Sequence, residues 1–452
     1  MNRIKKWFVL GLALIITGLS AGCSTARPKE PVTVTLWHVY GAQTDSPFND
    51  LIDRFNQTVG KEQGIQVEVT FVSTNKAIHE IILSSAYGDP GSSPLPDMFV
   101  TYPKTVAAMP DDDILVNYHD YFTDEELGAM MPEFLREGEI NGRLLILPVA
   151  KSTEVLYVNR NMFEQFSEET GITLEMLSTW EGLFRAAEKY AEWTDSKTPD
   201  IPGDAKAMLV HDFHFNYFQV GVESLGESFF RNNTLAFGPK FKQIWEPYAR
   251  AAISGGLWLK GGYATEPMRT GDTIAAIASS AGVHYFSDSV TYPNNTSQKT
   301  DWIIRPVPVF DNGKHLAMQR GAGISTVRST PAKEKACITF LKWLTDIDNN
   351  VEFTTQLGYM PVKKAAFDRA LPEAIEQLEQ NKYAELYRAY LKTQKEYTFY
   401  TAPQMDNYLE LENRFEETVR NRLTFARNQY LRGEDDIQTL SRITLEKLIQ
   451  NF

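Results

Sequence analysis

Residues 141–163 read NGRLLILPVAKSTEVLYVNRNMF. Asn141-Gly142 is a two-residue turn signal of the kind that closes a β-hairpin, because both residues tolerate positive φ. Leu144 to Leu147 is an apolar run stopped by Pro148, the pattern of a short strand. The polar patch Lys151-Ser152-Thr153-Glu154 follows, and then a β-rich run from Val155 to Val158. Asn159 is placed to cap a helix that carries Met162, Phe163 and Phe166 on one face. The pattern fits two architectures. One is a strand-loop-strand inside a single domain, the other a crossing between two domains.

Working outward, Val32, Val34 and Leu36 alternate with threonines, and Ile65, Val67, Val69 and Phe71 alternate likewise, so both stretches read as strands. Between them Ser46-Pro47 opens a helix with Phe48, Leu51, Ile52 and Phe55 at helical spacing. A second helix carries Ile78, Ile81 and Ile82, and residues 97–100 form a third strand. Strand-helix-strand-helix-strand order predicts a parallel sheet with right-handed crossovers. Later, Ser178 to Glu181 reads as a capping box ahead of an apolar helix face containing Trp180, Leu183 and Phe184. Residues 273–278 read as a strand that ends in Ser279-Ser280. Leu409 to Phe452 is helical by periodicity. In such sheets ligands sit beyond the carboxyl ends of the strands. That edge holds Trp37, His38, Tyr40, Lys76 and Tyr102.

At 452 residues the chain is long enough for two or three domains. A net charge of −13 argues against nucleic acid as the main partner. The N-terminus is more specific. Arg3, Lys5 and Lys6 precede an apolar stretch from Trp7 to Leu19, which suits a signal peptide and is too short for a membrane span. Leu19-Ser20-Ala21-Gly22-Cys23 resembles a bacterial lipobox, with Ser20 in the place that usually holds Leu. Residues 1–22 are therefore read as a lipoprotein signal peptide, Cys23 as the lipidated residue and 23–31 as a tether. Two acyl chains on Cys23 suffice for stable anchoring. The only other cysteine, Cys337, is expected to be a buried thiol, so no disulfide framework forms. His211 and His214 stand at i, i+3 with no third ligand in view, and are read as surface or pocket-rim residues rather than as a metal site.

Several runs together resemble one family. Gly142, Pro148, Leu156, Tyr157, Asn159 and Met162-Phe163 match its first interdomain crossing. Trp37-His38, Pro96-Asp97, Thr179-Trp180-Glu181, Arg320-Gly321-Ala322-Gly323 and Gly358-Tyr359-Met360-Pro361 match further along. The family is the extracellular solute-binding proteins of ABC importers, in the sugar-binding branch that includes maltose- and glycerol-3-phosphate-binding proteins.

The resemblance implies an α/β, two-lobed periplasmic-binding-protein fold of type II, with hinge crossovers and a ligand cleft between the lobes. The expected lobes are residues 32–148 plus 304–346 and residues 149–303 plus 347–452. It implies capture of a sugar or oligosaccharide by hinge closure, delivery to membrane permease subunits, a monomer, and an extracytoplasmic location. No cofactor, metal or catalysis is expected. The expected ligand residues are Trp37, His38, Tyr40, Lys76, Tyr102, Ser152, Glu154, Trp180, Trp258, Ser279, Ser280, Arg320, Gly321 and Tyr359. Small residues at 279–282 would let ligand reach backbone N–H groups at a helix N-terminus.

Glycerol 3-phosphate or a glycerophosphodiester is the alternative ligand. A phosphate wants bidentate Arg or converging cations. Residues 401–406, where the glycerol-phosphate branch places an Arg, contain neither Arg nor Lys, and this favours a neutral sugar. An exported hydrolase or a sugar-sensing co-receptor are the competing roles. G-x-S-x-G occurs only as Gly18-Leu19-Ser20-Ala21-Gly22, inside the segment read as signal peptide, and H-E-x-x-H does not occur in the chain.

Overall fold

The computed structural model describes residues 30–41, 46–292, 294–405 and 407–452. The signal peptide, Cys23 and most of the tether lie outside the described residues. Half of the chain is helix and 18% is strand.

The opening segment folds as its pattern dictates. Val32–His38 pairs in parallel with Ile65–Phe71 on one side and with Met98–Thr101 on the other. Pro47–Phe55 buries Phe48, Leu51, Ile52 and Phe55 against them. Gly323–Thr326 and Leu147–Pro148 complete a five-stranded sheet, and both run antiparallel to their neighbours. Helix Pro331–Leu344 covers this sheet and buries Cys337, and its first turn is capped by the Thr330 hydroxyl.

A second sheet has four strands in the order Trp302–Pro306, Glu154–Asn159, Ala275–Ser279, Leu209–His211. Every residue of Glu154–Asn159 is buried, as a central strand requires. Its end is fixed by the Asn159 side chain, which accepts from Met162 N–H at 3.2 Å and starts helix Arg160–Thr170. The hairpin before the crossing is also as expected, with Asn141 at φ 52° and Gly142 at φ 75° between Glu139–Ile140 and Arg143–Leu144.

The two sheets have separate cores, one drawn from Val34 to Ala150, apart from Met131 and Phe134, and from Ala322 to Leu357, the other taking those two and most of the rest. The chain passes between them at three places, and those places are laced to one another. Ser152 and Arg320 exchange two backbone hydrogen bonds of 2.8 Å. Lys151 and Met360 exchange two more, of 3.2 and 2.6 Å. Gly321, at φ 91°, is needed where two crossings touch: a Cβ there would stand 2.9 Å from both Lys151 Cα and Ser152 N.

Three expectations are corrected. Trp302–Pro306 is not the return into the first lobe, because it pairs along the edge of Glu154–Asn159. Ile303, Ile304, Val307 and Phe310 bury in the second core, so the return comes at Ala322 rather than at 304. Phe353 and Leu357 still belong to the first core, so the final exit is later than 346. The helix at Trp180–Asp195 is capped by Thr179, which accepts from Gly182 N–H at 3.1 Å. Ser178 is spent on the preceding 3₁₀ turn, where its hydroxyl donates to the Glu175 carbonyl.

Candidate functional site

The charged groups of the crossings converge on Arg320. Its guanidinium lies 3.2 Å from Glu154 Oε1 and 4.2 Å above the Phe213 ring. Glu154 is 5% exposed at its side chain and also accepts from Asn216 Nδ2 at 2.7 Å. Burial raises its carboxyl to about 7, against the pull of Arg320 and the Asn216 hydrogen bond. Burial likewise raises Asp212 to about 6, although Asp212 accepts from Ala264 N–H at 2.6 Å. Glu412 rises too, with the Lys104 and Arg320 cations opposing burial. Arg320 also acts on the phenols of Tyr102, Tyr359 and Tyr408. One guanidinium thus senses groups from the first sheet, from all three crossings and from the second-lobe helices.

Two polar networks flank it. On one side, Lys151 Nζ donates to the Glu137 carboxylate and to the Gly321 carbonyl, and Gln319 Nε2 donates to the same carboxylate. On the other side, His214 Nδ1 meets Glu416 at 3.0 Å, and Glu416 also accepts from Phe215 N–H at 2.7 Å and from Arg420 at 3.1 Å. Burial pushes Glu416 up, yet His214 and these bonds hold it below its ordinary value. Gln219 joins Tyr400 and Tyr408, donating to the first at 3.1 Å and accepting from the second at 2.7 Å.

The expected ligand residues divide. Glu154, Arg320, Tyr102 and Tyr359 come together at this centre. Tyr102 stands at the start of Pro103–Ala107 beside Lys104. Tyr359 is half-buried, edge-on to Tyr40 at 5.4 Å. Trp37 is half-buried within its strand and packs on the first core. Trp258 is half-buried at the edge of the second core, with Lys260 at 4.7 Å from its ring.

The structure places the others away from this centre or in structural contacts. His38 and Tyr40 are sealed among Phe48, Phe71 and Phe353, and burial lowers His38 to about 4. Trp180 is 5% exposed and stacks on His211 in the second core, as its helix periodicity required. Lys76 is 85% exposed and, among the described residues, pairs only with Glu80, one helical turn on. Ser152 and Gly321 serve the crossing through their backbones. Ser280 does not open a free helix terminus: its N–H donates to the Thr153 carbonyl at 2.9 Å, its hydroxyl accepts from Thr153 N–H, and only a short 3₁₀ turn follows. Ser279 gives its carbonyl to the Tyr157 hydroxyl at 3.1 Å. His211 and His214 are buried rather than on a rim. Among the described residues, the one grouping with metal-ligand spacing is Asp111, Asp112 and Asp113, and Arg143 already pairs with two of these.

Asn216, Gln219, Gln319, Glu412 and Glu416 were not foreseen. Glu412 and Glu416 lie one position beyond Leu411 and Phe415, the buried stripe of helix Tyr408–Leu431. That adjacency was the one sequence signal available. Surface depressions of about 330 and 240 Å³ lie elsewhere, on helix Trp180–Asp195 and beside Trp302–Pro306, and touch none of these groups. What marks the crossings as the candidate site is the gathering of charged groups there rather than either of these depressions.

A family model described as bacterial extracellular solute-binding protein matches residues 50–382. No curated protein matches the chain. Among solved structures, the cyclic α-maltosyl-1,6-maltose binding protein of Arthrobacter globiformis aligns over 93% of this chain and 100% of its own, with a TM-score of 0.66 and 17% identity. UgpB of Mycobacterium tuberculosis, in complex with glycerophosphocholine, aligns over 93% and 98%, with a TM-score of 0.64 and 18% identity. The maltose/maltodextrin-binding domain MalE of Bdellovibrio bacteriovorus, bound to maltotriose, aligns over 93% and 100%, with a TM-score of 0.58 and 16% identity. At such identities the likeness is one of fold.

Proposed function

Because the chain belongs to the bacterial extracellular solute-binding proteins, we propose that it captures a sugar or oligosaccharide between its lobes and passes it to the permease of an ABC importer. Its extracytoplasmic location follows from the family. The observation that carries the ligand class is the state of Arg320. Its guanidinium is already engaged by Glu154 and rests on Phe213, and carboxylates and carboxamides surround it. Such a setting suits hydroxyls, which donate to carboxylates and accept from amides. It disfavours a phosphate, which needs cations not already paired. The structural neighbours include binders of maltose-type sugars and one of glycerophosphocholine, so both classes belong in a screen.

The lobes we assign are residues 32–150 with 322–357, and residues 154–317 with 360–452. Closure is a hinge motion about the three laced crossings. Ligand shifts the open–closed population only as far as it binds the closed form better. A thermal-shift screen of sugars, polyols and glycerol phosphodiesters on the protein without residues 1–22 tests the ligand class, and a hit confined to phosphorylated compounds would overturn it. With the best sugar, small-angle scattering should show a smaller radius of gyration. An unchanged radius would remove hinge closure from the account. We read the protein as a binder without turnover, so the sugar should be recovered intact.

Anchoring through a lipid on Cys23 belongs to the same proposal. No helix among the described residues is long and apolar enough to cross a membrane. Cys23→Ser should appear in the soluble fraction or keep its first 22 residues. A variant that is processed normally and stays membrane-bound would end the lipoprotein reading.

A further inference from the structure

At the carboxyl edge of the second sheet, one loop is moored to groups of the charged centre. Strand Leu209–His211 is followed by Asp212 and Phe213, and Phe213 lies beneath Arg320. The loop begins where Trp258 N–H donates to the Leu209 carbonyl at 2.8 Å, and it ends where Ala264 N–H donates to Asp212 at 2.6 Å. Between those anchors Arg420, which also donates to Glu416, holds the Lys260 carbonyl at 3.1 Å. The tip that remains is Gly261-Gly262-Tyr263. Gly262 turns the chain at φ 105°, and a Cβ on Gly261 would meet nothing within 4 Å. Tyr263 is 70% exposed, more than any other large apolar side chain among the described residues.

A lone exposed tyrosine on a loop is ordinary. Tyr263 differs in its mooring, because the backbone on either side of the tip is fixed by Asp212 and Arg420, which belong to the site. The other aromatic of the loop, Trp258, carries Lys260 over its ring at 4.7 Å, so the open ring here is that of Tyr263. Ligands of such sheets lie beyond the carboxyl ends of the strands, where this tip stands. A tyrosine offers an apolar face for the C–H side of a sugar ring and a hydroxyl for its polar rim. Asp212 and Ala264 stand between Tyr263 and Phe213, so Tyr263 lies outward of Arg320 and suits a later ring of a chain rather than the ring seated at the guanidinium. Resting on the sugar-binding reading above, we propose that Tyr263 is the stacking platform of an outer subsite, and that the ligand is an oligosaccharide long enough to reach from Arg320 to this tip.

The test is titration calorimetry with α-1,4-glucan, β-1,4-glucan and β-1,4-mannan oligomers, each from monosaccharide to hexasaccharide. In the series that binds, affinity should rise with length. Tyr263→Ala should cost about tenfold with the hexasaccharide and leave the disaccharide within about twofold. Tyr263→Phe keeps the ring and should stay close to the parent at every length. A change that merely disturbed Asp212 would weaken all lengths alike, so the length dependence separates stacking from a structural role. Equal losses at all lengths, an unchanged hexasaccharide affinity in Tyr263→Ala, a loss in Tyr263→Phe as large as in Tyr263→Ala, or a monosaccharide bound as tightly as any oligomer would each overturn this inference and leave sugar binding intact. Binding of none of the three series would overturn it too, and if glycerol phosphodiesters bind instead, the sugar reading falls with it.

Discussion

Arg320→Met should weaken ligand binding by about a hundredfold, close to 3 kcal/mol. Methionine keeps the apolar stem against Phe213 and removes the charge and its donors. The Arg320 side chain pairs with Glu154 of the second sheet, while its backbone is tied to Ser152 where two crossings touch. Losing it takes away donors that act only when the lobes are together. The same change alters stability in a pH-dependent way. Above pH 7 the Glu154 carboxylate would lose its cation and remain buried, a defect of a few kcal/mol. Below about pH 5.5 Glu154 is protonated in the folded state of both proteins, so their melting temperatures should converge. Calorimetry with the best sugar and melting curves at two pH values check both claims. Unchanged affinity would remove Arg320 from the site, and an equal melting deficit at both pH values would show that its role is packing.

Glu154→Gln should stabilise the free protein at alkaline pH while weakening capture. The folded carboxyl titrates at about 7, above its ordinary value of 4.5. The folded state therefore holds a proton that the unfolded chain has released, and stability falls as pH rises from 4.5 to 7. Above 7 the penalty is constant at about 3 kcal/mol, since each tenfold difference in acidity between the two states costs roughly 1.4 kcal/mol. Glutamine cannot ionise, keeps an oxygen for Asn216, and leaves Arg320, 26% exposed at its side chain, free to hydrate. The variant should exceed the parent in denaturant resistance by up to about 3 kcal/mol at pH 8 and match it near pH 4.5. Asp212, raised by burial from 3.8 to about 6, adds a contribution of the same sign that falls away between those two values in parent and variant alike, and so drops out of their difference. A stability gain of the variant over the parent that does not grow between pH 4.5 and pH 8 would refute this. A strained polar site that costs stability is a common condition of binding function.

Much of this molecule is written locally. The alternation in 32–38 and 65–71, the Pro47 helix start and the Asn159 cap each depend on residues within one or two turns. The polar patch at 151–154 fitted a loop inside one domain as well as a crossing between two, and only the family resemblance pointed to the crossing. What the pattern could not assign was ownership. Trp302–Pro306 is apolar enough for either sheet, and only pairing with Glu154–Asn159 decided between them.

The site divided along the same line. Glu154 and Arg320 flank segments whose order was readable, and the structure pairs their side chains. Residues at strand ends, such as His38 and Tyr40, looked equally suited to ligand and to core, and packing against Phe48 and Phe353 closed them off. Glu412 and Glu416 sit on a long helix where charge ordinarily means solvent. Tertiary structure alone turned that helix face toward Arg320 and buried it, because side-chain direction relative to a distant lobe is set by packing and leaves no mark in sequence spacing.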